Sequence, residues 1–479
     1  MLSEKYDLIV VGTGFASGFF LKKYLEKSRP DAKILVLERG KVRNHLDRLN
    51  KAKSDLNFSG INWKDSQSAF INQNPEKVWV FDPNFGGSSN CWTGCTPRFL
   101  PNDFQLKSKY GVGTDWPINY EALEAYYTEA ERIMSISGPN KTPFPKSQKY
   151  PLPPHALSTV DTLLKKKFGN LYISQPTARA SKNTSNRGVC CSSSVCSLCP
   201  VDAKFTIQNG MVNIFEDHRV TIRYETQVVA LNTKNNIVSS VLFNSNGRLA
   251  EAEGEIIALG ANALFNAHIL LNSGDSLPLT GKGLSEQVGM YAMVYFDGLE
   301  NLGGSSIIPA NGYMLYDGEH RKKHGAILIE SHNTPYIRSK IGRWRQLIRL
   351  KFIAEDLPCD ENKVTISDDP NKPRVIFKGH SRYALDAFND LDRKIAKIFQ
   401  GLPIESIYID GYTQDSEYHI CSTHRMSNDP DNGVVDKRLI HHQYRNLLLL
   451  GSGVFPTISP SNPTLTLSAL SLMAADNLV

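Results

Sequence analysis

The chain of 479 residues contains no run of 18 apolar residues, so no stretch reads as a transmembrane helix. It shows no secretory leader. A strand-like run begins at Asp7, and the glycine turn after it has to remain in the mature protein. The expected location is therefore cytoplasmic, or outside the cell only through association with a signal-bearing partner. Cysteine is sparse at 8 residues, too few for a disulfide scaffold. The charge excess is only +6, the basic residues are dispersed, and no nucleic-acid-binding module is present. The one dense basic stretch, residues 338–351, reads as a solvated surface rather than as a contact for an acidic partner or a membrane. No internal repeat or low-complexity tract occurs. What remains is the composition of an ordinary globular protein, 41% hydrophobic and 21% charged, long enough for two or three domains' worth of core.

What is present begins at once. Residues 7–11 form a short apolar run suited to a buried parallel strand, and Gly12, Gly14 and Gly18 punctuate a tight turn. Apolar residues at helical spacing follow, then a second apolar run, 34–37, ending in Glu38 and Arg39. This pattern predicts a βαβ unit. Its glycine turn, with Phe15 and Ala16 opening the helix, would cradle a pyrophosphate at the helix N-terminus, and Glu38 would meet a ribose hydroxyl. The third glycine position of G-x-G-x-x-G holds Ser17. On these residues alone the dinucleotide is either NAD or FAD.

Further along, residues 84–97 (NFGGSSNCWTGCTP) form a small-residue loop able to approach a flat ring or a phosphate. Residues 115–134 predict a helix. Residues 221–249 predict alternating strands turning at Asn235-Asn236 and Asn246-Gly247. A buried strand is expected at 255–260, then a helix through Leu271, which returns the chain to the first sheet. Strands are expected at 290–296, 326–330, 363–366 and 375–377, and a helix over 383–399, which makes a second, more antiparallel region. The chain closes with a strand at 446–453 and a helix over 464–478.

The C-terminal segments Tyr418–Met426 (YHICSTHRM), 433–436 (GVVD) and 446–478, with the N-terminal βαβ unit, the Gly86-Gly87 loop and the strand at 256–260, resemble the glucose–methanol–choline (GMC) oxidoreductases. The H-x-x-x-T-H-R-M and S-N-P-T-L-T wording is similar to the branch holding pyranose oxidases and FAD-dependent sugar dehydrogenase catalytic subunits. The resemblance implies FAD, oxidation of a CH–OH group, His419 as general base and Asn462 as its partner at the flavin. A histidine is suited to accept a hydroxyl proton near neutrality, and an amide to orient the alcohol. Taken alone, His419 also reads as a core histidine and Asn462 as a helix cap, and His424 reads as packing or a supporting hydrogen bond. The resemblance further implies flavin contacts at Gly12, Gly14, Phe15, Ala16, Glu38 and Arg39. In the loop it implies Gly86, Gly87, Ser88, Asn90 and Cys91, and later in the chain Val228, Gly260, Gly451, Ser452, Val454 and Thr464. Pyranose-oxidase-like members carry a flavin-linked histidine where this chain has Cys91, so non-covalent FAD is expected, with a cysteinyl linkage as the alternative.

Residues 187–200 (RGVCCSSSVCSLCP) place Cys190, Cys191, Cys196 and Cys199 as C-C-x4-C-x2-C. This is unlike the paired knuckles of a zinc ribbon. The spacing is similar to that of flavin- and iron–sulfur-containing sugar dehydrogenase subunits, with one residue fewer in the last gap, and so implies a three-iron (3Fe-4S) cluster. Free thiols or a disulfide, and zinc, are the alternatives.

The expectation is thus an α/β protein with a Rossmann-like FAD-binding domain built from 1–110, 185–275 and 411–479, and a mainly antiparallel substrate domain from 111–184 and 276–410. It would oxidise a sugar, polyol or related alcohol and pass electrons through the cluster to an acceptor protein or small subunit. The other readings are an oxygen-reducing oxidase of the same fold and a non-catalytic redox sensor.

Overall fold

The computed structural model describes residues 5–55, 63–334, 336, 338–411, 413, 414 and 416–478. The run at the N-terminus forms the strand Lys5–Val11, all but buried, and the helix Phe15–Lys27 follows its glycine turn. The strand pairs in parallel with Ile34–Leu37 on one side and with Arg248–Leu259 on the other. Val220–Arg223 and Leu447–Leu449 extend this parallel sheet. The expected hairpins form as Thr226–Lys234, Ile237–Ser245 and Arg248–Leu259, turning at Asn235, Asn236 and Asn246, all with positive φ. The terminal helix Thr464–Asp476, buried along most of its length, packs on Phe15–Lys27.

Ser17 at the third glycine position has a structural explanation. Its hydroxyl donates to the Val11 carbonyl at 3.1 Å, and it packs so closely on Gly260 that a Cβ there would lie 2.1 Å from Ser17 Oγ. The glycine that this crossing needs is supplied by the neighbouring strand end. Gly12, with φ +87°, lies under the Gly260 carbonyl and leaves no room for a Cβ.

The second sheet runs Ile404–Ile409, Val288–Phe296, Leu347–Ala354, Ile327–His332, Ala310–Leu315, Tyr172–Ser174, antiparallel throughout. One face is apolar, with Ile329, Leu350, Phe352 and Val294 packed on Val160, Leu164, Leu391 and Ile395 of the helices Thr159–Phe168 and Leu391–Ile398. The molecule is therefore an α/β protein with a Rossmann-like sheet and a separate antiparallel one.

Three expectations change. The stretch 338–351 is not simply a solvated surface, because Leu347–Ala354 is an interior strand whose alternate residues Ile348, Leu350 and Phe352 are buried. The helix expected over 383–399 is broken into Arg382–Leu385 and Leu391–Ile398 by left-handed Asp390. The helix expected from residue 115 starts at Tyr120, where Asn119 Oδ1 accepts from the Ala122 N–H.

The end of the strand Leu347–Ala354 is tied to the segments holding Asp103 and Ser459 by Arg321, which is fully buried. It donates to Asp103 at 2.9 Å and to both oxygens of Glu355 at 3.0 and 2.6 Å, while Tyr316 and Ser459 donate to Asp103. Removing the cation would strand two buried carboxylates, at a cost of about 3–5 kcal/mol. Arg321→Leu is accordingly expected to lower the thermal midpoint by several degrees or to prevent folding. Unchanged thermal unfolding would show that the network is not structural.

Candidate active site

A cavity of about 530 Å³ runs between the two sheets, from the glycine turn to the C-terminal segment. At one end lie Gly12, Gly14, Phe15, Ala16, Glu38 and Arg39. Glu38 is buried and accepts from Thr13 Oγ1 at 2.5 Å and from the Gly40 N–H at 2.8 Å. Burial holds its carboxyl above the usual range, against those hydrogen bonds. The middle is lined by Gly87, Ser88, Cys91, Val228 and Gly260. Gly87 crosses Gly14 so closely that a Cβ would sit 3.0 Å from the Gly14 Cα. Gly451, Ser452, Thr464, His419 and Asn462 complete the far end.

Three residues expected to contact the flavin, Gly86, Asn90 and Val454, are not among those that line the cavity. The Gly86 N–H donates to Thr13 Oγ1, Asn90 is buried and donates to the Phe85 carbonyl, and Val454 is fully buried in the core. His424 is buried beside Thr423 and Asn266, packed against Gly453 where a Cβ would fall 1.9 Å from its ring. Burial pushes the Cys91 thiol up to about 12 and so disfavours its thiolate.

The reactive end is organised by residues that the sequence did not single out. His419 Nδ1 lies 2.8 Å from Gln287 Oε1, and Gln287 Nε2 donates to the Ser459 and Ser461 carbonyls at 2.9 and 3.0 Å. Because the amide N–H bonds are committed to carbonyls, Oε1 must accept, so Nδ1 carries the imidazole proton and Nε2 is left as a base. Asn462 follows directly on the segment that Gln287 grips. It makes no side-chain helix cap, and its Oδ1 is buried without a partner among the described residues. Next to Gln287, the buried carboxylate of Glu286 accepts from Ser416 Oγ and from the Glu417 and His419 N–H groups, and it pairs with Lys77. Burial opposes its charge, but Lys77 and these donors hold it below the usual carboxylate range. Glu286 and Gln287 carry no local motif, and only the fold reveals them.

The expected metal ligands are not gathered. Cys196 and Cys199 are buried, Cys190 is half-buried and Cys191 is exposed, with left-handed backbone at Ser192 and Ser194 turning the segment. No group of three or more His, Cys, Asp or Glu side chains is placed to hold a metal ion among the described residues. Two buried cations stand beside these thiols. Arg179 contacts Cys196 Sγ at 3.9 Å and donates to the Thr93 and Ile308 carbonyls and to Gln175. Lys204 donates to the Asn90, Trp92 and Ser197 carbonyls.

Residues 358–471 match the GMC oxidoreductase family. The fructose dehydrogenase large subunit of Gluconobacter japonicus is 25% identical, over 98% of this chain and 97% of that protein. The 2-methyl-1,2-propanediol dehydrogenase of Mycolicibacterium austroafricanum is 23% identical, over 82% of this chain and 80% of that one. Among solved structures, pyridoxine 4-oxidase from Mesorbium loti superposes with a TM-score of 0.71 at 17% identity, covering 99% of both chains.

Burial lowers the His419 imidazole to about 4, against the raising effect of Glu286 and Glu330. Nitrogen NMR of the histidines should therefore show His419 neutral, protonated on Nδ1, from pH 8 down to about 5, and charging only as pH falls through about 4. Titration near the ordinary value of about 6.5, or an Nε2-protonated ring, would contradict the Gln287 assignment.

Proposed function

The chain belongs to the GMC oxidoreductase family, and from that premise we propose that it oxidises a CH–OH group of a sugar or polyol, with FAD as its non-covalent cofactor. The observation that carries this is the double grip of Gln287, which turns His419 Nε2 into an unprotonated base and anchors the segment leading to Asn462 in the same cavity. The cleft suits a dinucleotide: the Gly12–Gly14 turn opens on a helix N-terminus, and Gly87 crosses it at close range. When bound, FAD supplies the two-electron acceptor for the hydrogen that leaves the substrate carbon. The protein handles the proton. His419 Nε2 accepts it from the hydroxyl as the C–O bond becomes a carbonyl, and the Asn462 amide orients the oxygen.

His419→Ala is expected to slow anaerobic flavin reduction by a sugar or polyol by about 10²–10⁴-fold, the range for loss of a general base. Asn462→Ala should act in the same direction to a smaller extent. Retention of the wild-type rate in His419→Ala would remove the base assignment. Both curated relatives are dehydrogenases by name, which supports an acceptor other than oxygen. Turnover should thus be fast with an artificial electron acceptor and yield little peroxide in air, whereas stoichiometric peroxide would make the protein an oxidase.

The proposal extends to the onward path. We read residues 190–199 as the seat of an iron–sulfur centre that relays electrons to an acceptor protein or small subunit. Support comes from the spacing and from Arg179 and Lys204, two buried cations whose described hydrogen-bond acceptors are carbonyls, an amide oxygen and a thiol, and which an anionic thiolate centre would neutralise. No catalytic step is assigned to it, since the four sulfurs do not form a ligand set here. The relative named as a large subunit supports a partner chain. No helix among the described residues is long and apolar enough to cross a membrane. Protein prepared without air is expected to contain iron and acid-labile sulfide and to give a low-temperature spin-resonance signal. Air-free protein that holds neither iron nor acid-labile sulfide would overturn the cluster while leaving the reaction intact.

A further inference from the structure

The antiparallel sheet has two unlike faces. The residues that alternate with its helix-covered apolar face point to the cavity, and there the pattern is polar. Tyr291, Lys351 and Glu330 lie in cross-strand register on three adjacent strands, and all three line the cavity shared by His419 and Asn462. Glu417, two residues before His419, joins them by accepting from Lys351 Nζ at 2.6 Å. Gly289 makes this possible, because a Cβ at that position would lie 1.9 Å from Glu417 Oε1 and 2.7 Å from Lys351 Cε. Lys351 also lies 5.1 Å from the Tyr291 ring centroid.

The group is built but unsatisfied. Glu330 is 3% exposed and Glu417 8%, yet Oε1 of each has no hydrogen-bond partner among the described residues. Buried acceptors of this kind call for donors from a ligand. The other Glu330 oxygen faces His332 Nε2 at 3.7 Å, beyond hydrogen-bond distance. The opposite face of the same strands is packed by apolar residues.

Resting on the reading that a CH–OH group is oxidised here, we propose that Glu330, Lys351 and Glu417 form a hydroxyl-recognition subsite that selects neutral substrates bearing several hydroxyls. A hydroxyl can donate to a carboxylate and accept from the ammonium, so a polyhydroxylated compound satisfies both kinds of group at once. A monoalcohol reaches the base but leaves the acceptors empty. A site that hydrogen-bonds hydroxyls discriminates strongly against analogues lacking them. An anionic sugar acid brings a carboxylate towards that of Glu330 and is disfavoured.

The test uses the FAD-loaded enzyme and anaerobic flavin reduction. Neutral aldohexoses, ketohexoses and hexitols are compared with 1-propanol, benzyl alcohol and gluconate, for the wild type, Glu330→Gln and Lys351→Met. The best neutral polyhydroxylated compound should exceed each of the others in kcat/KM by at least tenfold. Glu330→Gln should reduce its advantage over 1-propanol at least tenfold, chiefly through KM. Equal use of monoalcohols by the wild type, preference for gluconate, or a variant that lowers every substrate by one common factor would overturn the subsite alone. Failure of any alcohol to reduce the wild-type flavin would overturn the reaction as well. If Lys351→Met loses its flavin because Glu417 is left unpaired, the wild-type ratios and the isosteric Glu330→Gln still decide.

Discussion

One buried carboxylate holds the reactive end together. Glu286 presents one oxygen to three donors in the segment 416–419 and the other to Lys77. A charge at zero exposure is expensive to bury, and it persists only when a counter-ion and hydrogen bonds meet it together. Lys77 is the counter-ion, lying 4.7 Å from the Trp79 ring centroid and 5.3 Å from that of Phe377. The segment that Glu286 grips needs such an anchor. Tyr418 and Ser422 hold left-handed backbone, with φ 65° and 71°, a conformation that costs a non-glycine residue about 1–3 kcal/mol. The Glu286 hydrogen bonds hold this backbone, and with it the position of His419.

Glu286 and Gln287 act in series. One fixes the backbone of His419 and the other its ring, and both sit at the start of the strand Val288–Phe296. The base is thus referenced to the antiparallel sheet. The glycine turn and Glu38 are referenced to the parallel one. The Arg321 network joins Asp103, Glu355 and the Ser459 segment, which leads to Asn462. The proposed chemistry needs such ties, because the glycine turn and His419 come from opposite ends of the chain.

Much of this was legible in the sequence where the signal is local. The βαβ unit, the hairpin turns at Asn235-Asn236 and Asn246-Gly247, and the terminal helix follow from periodicity and turn chemistry confined to a few residues. His419 and Asn462 were legible through motif wording, and both line the cavity. What was not legible is relational. Gln287 and Glu286 look like any polar pair before a strand, and their meaning comes from residues 130 or more positions away. The stretch 338–351 misled because basic residues dominate its count. Within Leu347–Ala354 the alternation of Arg349 and Lys351 with Ile348, Leu350 and Phe352 marks a two-faced strand, and only the sheet shows that its charged face meets a cavity. Gly86 and Asn90 show the converse: a small-residue loop names its neighbourhood, but not which of its residues line the cavity.

The depressed basicity of His419 raises a question of driving force. A base that charges only near 4 is a weak proton acceptor, and burial alone would penalise the imidazolium formed when the hydroxyl proton arrives. The surroundings offset this. Glu286 and Glu330 both favour the charged ring, and the Nδ1–H bond to Gln287 strengthens once the ring is cationic, because charge-assisted hydrogen bonds are the stronger class. Lys351 opposes them, so the two carboxylates offset part of the burial cost before any proton moves. The same Glu330 that faces the substrate wall also stabilises the protonated base. In the proposed reaction, substrate recognition and proton acceptance would thus both draw on Glu330.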